Sequence, residues 1–315
     1  MTKIEDALAN EAEAEISPKT PKQKFWNVIK TILKFVVTGL LLYWVFSKVP
    51  LSEVKERLIH ANYWWVLAAV FFYFLSMVAS AWRLLSFFKC INLRLNPRFN
   101  FRLYLLGIFY NLLLPGGIGG DGYKIYLLHK TYQFPTKKIF LSILFDRLSG
   151  LWAIGLIVVT LKIFIPQIEI HIAIPLAIFL LGSIVYYTIV RLFFKDFTKH
   201  FFKGHAKAII VQSCQVICIL CVLMGQDFHG KFAPYLLSFL LSALAAVLPI
   251  SVGGAGVREY IFKFLAGIFN MNVGLAVFLS ISFYLISLVV ALSGIYYIIR
   301  PSRLQAGLPA EKIVE

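Results

Sequence analysis

The chain has 315 residues, 60% of them hydrophobic and only 15% charged, with a mean hydropathy of +0.80. About one quarter of an ordinary soluble domain is charged, so this balance excludes one and points to a protein that crosses a membrane several times. The net charge of +16 does not indicate nucleic acid, because the basic residues fall in short runs between apolar segments, where cytoplasmic loops carry them.

Residues 1–24 are polar, begin acidic and contain Pro18 and Pro21. They lack the basic start and cleavage site of a signal peptide and read as a disordered cytoplasmic tail. Apolar runs able to cross about 30 Å of hydrocarbon lie near 27–46, 62–88, 136–161, 172–190, 206–224 and 274–299, which predicts six full spans. An amphipathic stretch, Leu51 to His60, follows the first. Tyr63, Trp64 and Trp65 read as an aromatic belt, and Arg83 with Trp82 as an interfacial anchor at the inner end of the second span. Segments 101–133 and 232–268 are each cut by glycines into two pieces too short to span, and each reads as a re-entrant helical hairpin. Cys214, Cys218 and Cys221 share one face of an apolar helix and read as small packing residues, with neither a metal nor a disulfide expected.

Lysine and arginine set the orientation. The richest groups are Lys19, Lys22, Lys24 and Lys30; Arg83, Lys89, Arg94, Arg98 and Arg102; and Arg191, Lys195, Lys199, Lys203 and Lys207. These should face the cytoplasm, although Lys48, Lys55 and Arg57 oppose that assignment. The expectation is a multi-pass protein of the cytoplasmic (inner) membrane with both termini inside: one transmembrane domain over 25–300 and a short cytoplasmic tail over 301–315.

The two interruptions repeat each other. Leu114-Pro-Gly-Gly-Ile-Gly-Gly-Asp-Gly-Tyr-Lys-Ile-Tyr126 aligns without a gap on Leu248-Pro-Ile-Ser-Val-Gly-Gly-Ala-Gly-Val-Arg-Glu-Tyr260, 134 positions later. Leucine, proline, three glycines and tyrosine coincide, and Lys124 faces Arg258. The order span, hairpin, span occurs twice, in 62–161 and 206–299, joined by the crossing at 172–190. The fold expected is therefore an all-α polytopic membrane protein: six full spans and two re-entrant hairpins in an inverted-topology repeat.

A helix restarted after a proline-glycine break presents unpaired N–H groups and the positive end of its dipole, a seat for an anion. The expected substrate-binding set therefore comprises Gly116, Gly117, Gly119 and Gly120 in the first break and Gly253, Gly254 and Gly256 in the second. Lys124 and Arg258 lie one turn into the restarted helices. Asn111, Asp121, Ser251 and Glu259 are nearby polar groups; Asp121 and Glu259 are candidate proton carriers, with an N-cap role as the other reading of Asp121. Asp146 and Arg147 lie about 15 Å along their span, where charge is costly without a partner. They serve either in a structural ion pair or in the anion site, and their side chains diverge by about 100°, so they need not pair with each other. Tight hairpin packing, with Lys124 and Arg258 reaching out to water, is the structural alternative for both breaks. The Gly117-x-Gly-x-x-Gly122 spacing has no preceding strand, no Walker A sequence occurs, and no nucleophile–base pair or metal-ligand set is legible. No catalytic residue, metal or cofactor is expected.

Trp82-Arg83-Leu-Leu85, Asn111-Leu-Leu-Leu-Pro-Gly-Gly-Ile-Gly-Gly-Asp121, Asp146-Arg147-Leu-Ser-Gly150 and Pro249-Ile-Ser-Val-Gly-Gly-Ala-Gly-Val-Arg-Glu259 together resemble the family of lysylphosphatidylglycerol synthase transmembrane domains, over about 60–300. The resemblance implies lipid translocation, as attributed to the flippase part of those enzymes. Only a short tail follows Arg300, so their soluble aminoacyl-transferring domain is not expected. The leading reading is a non-enzymatic flippase or transporter that moves an anionic-head-group lipid, phospholipid or polyprenyl phosphate, by alternating access. Its partners would be membrane lipids. The alternative is a non-catalytic scaffold or accessory subunit of a lipid-modifying enzyme.

Overall fold

The computed structural model describes residues 51–113, 119–247 and 256–305, together with Ile29, Ile32, Val36 and Tyr43. Most of the first predicted span and of the two predicted tails lies outside the described residues. So do the tips of both glycine breaks, including Gly116, Gly117, Ser251, Gly253 and Gly254.

Every element among the described residues is helical: α1 (Leu51–Ile59), α2 (Tyr63–Cys90), α3 (Pro97–Leu113), α4 (Gly119–Tyr132), α5 (Thr136–Leu161, prolonged by a 3-10 turn at Lys162–Phe164), α6 (Ala173–Phe193), α7 (Lys195–Thr198), α8 (Phe201–Met224), α9 (Phe232–Val247), α10 (Val257–Ile268), α11 (Val273–Leu292), α12 (Ile295–Ile299) and α13 (Pro301–Gln305). Helix starts follow from punctuation in the sequence. Asn62 accepts from the Trp64 amide at the head of α2, and Asn272 accepts from the Leu275 amide at the head of α11. Pro97 opens α3 at a position where a missing N–H costs nothing. Asn92 and Asn270, both at positive φ, take the chain out of α2 and α10.

Five stretches are long and apolar enough to cross a membrane: Tyr63–Cys90, Thr136–Phe164, Ala173–Phe193, Phe201–Met224 and Val273–Ile299. They match the second to sixth predicted spans closely, and the chain is a multi-pass membrane protein. Helices α3, α4, α9 and α10 have 17, 14, 16 and 12 residues. At 1.5 Å per residue each falls short of about 30 Å. Within each pair the two short helices pack against one another.

The most extensive interface joins α2 to α8, and the two run antiparallel. The Asn62 amide at the start of α2 donates to the Gly225 carbonyl just after α8. At the other end, Gly204 early in α8 leaves room for the Phe87 ring, which would lie 2.5 Å from a Cβ at that position. The remaining contacts are reciprocal: α3 of the first unit packs on α11 of the second, while α9 of the second packs on α5 of the first. Each unit's short helices therefore lean on the other unit's last helix. Two apolar clusters result. One gathers Ile219, Phe239, Phe262 and Phe278 around the second short-helix pair, and the other gathers Phe99, Leu103, Leu128 and Ile139 around the first.

Helix α6 lies outside this arrangement, with almost all of its apolar residues exposed, as expected of a helix that faces lipid. The basic groups of the α2–α3 and α6–α8 connections converge at one end of the bundle. His200, in the turn before α8, is held below its ordinary pKa first by desolvation and then by Lys203, Lys89, Lys207 and Lys199. At that same junction of segments, α13 packs on α3: Arg102 Nη1 donates to the Arg303 carbonyl at 2.6 Å, and Leu304 is buried.

Candidate functional site

Interior charge is concentrated where α4 meets α3 and α5 and where α5 meets α2. Asp121, on the first turn of α4, is buried, and its carboxylate accepts from two cations: Lys124 Nζ at 3.0 Å and Arg147 Nε at 2.7 Å. Arg147 Nη2 contacts the same carboxylate oxygen as its Nε. Lys124 is buried and lies over the Tyr104 ring, 4.5 Å from its centroid. The Arg147 side chain keeps 36% of its surface exposed, against 12% for Asp121, so Arg147 is the more exposed member of the pair.

A second ion pair lies one residue away on α5. Arg83 donates from Nε and Nη2 to the two oxygens of Asp146, at 2.7 and 2.9 Å, and both residues are buried. The interfacial-anchor reading of Arg83 is thereby corrected. Arg83 lies two turns inside the end of α2 at the depth of Asp146 on antiparallel α5, and a charge at that depth requires a counterion. Gly150 leaves room for its Nη1, 3.2 Å from where a Cβ would stand. Arg83, Lys124 and Arg147 against Asp121 and Asp146 leave one net positive charge. The adjacent Asp146 and Arg147 take different partners, as their helical divergence predicts. Both Asp146 oxygens are occupied by Arg83.

Asp121 is the third residue of α4 and does not cap it; that expectation is corrected. Asn111, from the preceding helix, does so instead, accepting from the Gly120 amide at 2.7 Å. The side chain of Asp121 is drawn inward by its two cations. This contact is possible because α3 and α4 touch backbone to backbone: a Cβ on Gly120 would lie 1.8 Å from the Gly107 carbonyl oxygen. Gly119, the first residue of α4, is partly exposed.

In the second unit the carboxylate makes no ion pair with the aligned arginine. Glu259 Oε2 accepts from the Gly256 amide at 2.6 Å, and Oε1 accepts from Ser280 Oγ on α11 at 2.8 Å. Gly256 adopts φ 82°, where a side chain is strained. Glu259 thus ties the start of α10 to α11, as Asp121 ties α4 to α5. We expect Glu259→Ala to destabilise the protein by about 1–3 kcal/mol, the cost of a lost cap plus unsatisfied buried donors. Thermal unfolding in detergent measures this, and an unchanged midpoint would contradict the assignment.

Arg258, half-buried, lies over the Phe283 ring with its guanidinium carbon 5.4 Å from the centroid. Lys124 and Arg258, aligned in the two repeats, therefore each cover an aromatic ring. Phe283 in turn meets Tyr73 edge-on at 5.3 Å. Sequence reasoning missed Tyr73 and Tyr104, which carry no motif. For Arg83 the missed signal was its depth, equal to that of Asp146 when both are counted from the same end of the bundle.

Of the expected set, Asn111, Gly120, Asp121, Lys124 and Arg147 converge, with Arg83 and Asp146 alongside. Gly256, Arg258 and Glu259 form a second group, in which Arg258 lies over Phe283. The sequence matches the model of the family described as "Lysylphosphatidylglycerol synthase TM region" over residues 31–294.

The chain belongs to that family. The match spans both units and the helix joining them, so the whole bundle described above is the family's membrane region. Comparison with curated protein sequences gives no match. Membership indicates a membrane protein with a lipid-related function.

Proposed function

We propose that this member of the lysylphosphatidylglycerol synthase membrane-region family is a flippase for lipids with an anionic head group. It would act without covalent chemistry, in the cytoplasmic membrane, with both termini inside. The observation that carries the reading is the Asp121–Lys124–Arg147 cluster: interior charge with a net positive balance, most exposed at Arg147. A fully satisfied structural ion pair gains nothing from a second buried cation, whereas a site for phosphate does.

The bidentate geometry of a guanidinium suits phosphate oxygens. A phosphate entering on the exposed side of Arg147 would compete with Asp121 for it and leave Asp121 to Lys124. The head group is then screened inside the bundle while its tails stay in the bilayer. Antiparallel α2 and α8, with the reciprocal α3–α11 and α9–α5 packing, support two units of opposite orientation. The short-helix pairs are then re-entrant hairpins entering from opposite faces, and rocking of one unit against the other alternates access. Convergence of the basic connections at one end supports the proposed sidedness.

The test is flipping of fluorescent phosphatidylglycerol, phosphatidylcholine and polyprenyl phosphate in proteoliposomes. Wild type should accelerate an anionic lipid over phosphatidylcholine. Arg147→Gln should lower that rate about tenfold or more, equivalent to about 1.4 kcal/mol of barrier, with a near-normal unfolding midpoint. Failure of folded wild type to accelerate any anionic lipid overturns the proposal.

A further inference from the structure

At the basic end of the bundle, well away from the interior cluster, α5, α6 and α7 enclose a cavity of about 370 Å³. This is the size range of small-ligand sites. Its base is aromatic: Phe194 and Phe197 line it, with Phe145 behind them stacked on Phe197 at 4.4 Å and edge-on to Phe194 at 5.3 Å. Its rim carries Lys137, Lys138 and Lys195 against the single carboxylate of Asp196. That carboxylate is 3.9 Å from Lys138 Nζ, and both side chains are half exposed, so the pair is weak and water-screened. Lys138 and Lys195 against Asp196, which Lys199 Nζ also approaches at 4.0 Å, leave this side of the cavity positive.

The remaining wall points to the ligand class. Leu192 and Phe193, the last residues of lipid-facing α6, line the cavity and are exposed. A pocket for a soluble anion needs no such wall, and one for a wholly apolar molecule needs no lysines. The cavity lies at the ends of the Thr136–Phe164 and Ala173–Phe193 spans, the level of lipid phosphates. The positive end of the α5 dipole, at Thr136, adds to the field there.

We propose that this cavity is a second lipid site, holding a resident anionic phospholipid by its phosphate between Lys137, Lys138 and Lys195, with its acyl chains running down Leu192 and Phe193. It differs from the transport site in depth and in residues and does not require that site to move lipid.

The test uses the full chain in nanodiscs and native mass spectrometry of retained lipid, comparing phosphatidylglycerol with phosphatidylcholine. Lys138→Gln/Lys195→Gln should weaken phosphatidylglycerol retention about tenfold or more, since each interfacial lysine contributes to attraction of anionic lipid. Phosphatidylcholine retention and the lipid-free unfolding midpoint should be unchanged. The equally charged change Lys162→Gln/Lys231→Gln, at other connections, should leave retention as in wild type. Equal loss from Lys162→Gln/Lys231→Gln would make the effect one of bulk charge and overturn the site. Undiminished retention in Lys138→Gln/Lys195→Gln overturns it too, as does displacement of the lipid by millimolar inorganic phosphate or glycerol phosphate. A flipping assay that failed would bear on the interior cluster alone.

Discussion

Asp146→Asn should be the most damaging conservative substitution in the protein, costing about 3–5 kcal/mol of stability. Both oxygens of Asp146 are engaged by Arg83, and each residue is more than nine-tenths buried. An amide removes the negative charge and one acceptor and leaves the guanidinium buried without a counterion. The penalty arises from the stranded cation rather than from the lost attraction, so removing both charges should be far milder. Arg83→Leu/Asp146→Leu should recover most of the loss, because apolar replacement of a buried pair is often neutral or better. Thermal unfolding of Arg83→Leu, Asp146→Leu and the double variant, read as a double-mutant cycle, measures the coupling. A single variant within about 1 kcal/mol of wild type would mean that water reaches Arg83.

Gly120→Leu should be comparably severe for a steric reason. The Cβ alone would lie 1.8 Å from the Gly107 carbonyl oxygen, so backbone must move before the rest of the side chain is placed. Overpacking of this kind costs about 1–3 kcal/mol in a deformable core, and more where backbone itself is the obstacle. Separating α3 from α4 would also withdraw Asn111 from the Gly120 amide and carry Asp121 away from Arg147. Loss of stability and loss of lipid flipping should therefore appear together. Gly122→Ala, two residues along the same helix, has nothing within 4 Å of the added Cβ. It should be neutral or stabilising by up to about 1 kcal/mol, from helix propensity. Equal effects of the two changes would refute the close helix contact.

The contrast between these glycines shows where reading the sequence stops. Gly120 and Gly122 look alike in the motif, and only the position of Gly107 separates them. Asp146 and Arg147 could be read as interior charges, because the depth of a residue in an apolar run is a local property. Which partner each would find was open, since the partners lie on other helices. Arg83 was misassigned for that reason: its neighbour Trp82 is exposed, and one step around a helix turns a side chain by about 100°. Asp121 was open to two readings, a proton carrier or a cap, because an acidic residue at a helix start often caps it. Two nearby cations outweighed the amide, and Asn111, ten residues earlier, took the role.

The positions of five spans, several helix starts, the repeated glycine motif and the family were all present in the amino-acid order. Long apolar runs, asparagine and proline punctuation, and aligned motifs need no knowledge of the rest of the molecule. The bundle alone decided the pairing of Arg83 with Asp146, the sharing of Asp121 between Lys124 and Arg147, and the rings that Lys124 and Arg258 cover. In a membrane interior a charge must find its counterpart wherever the packing of helices brings one within about 3 Å, and that packing is a property of surfaces distant in sequence.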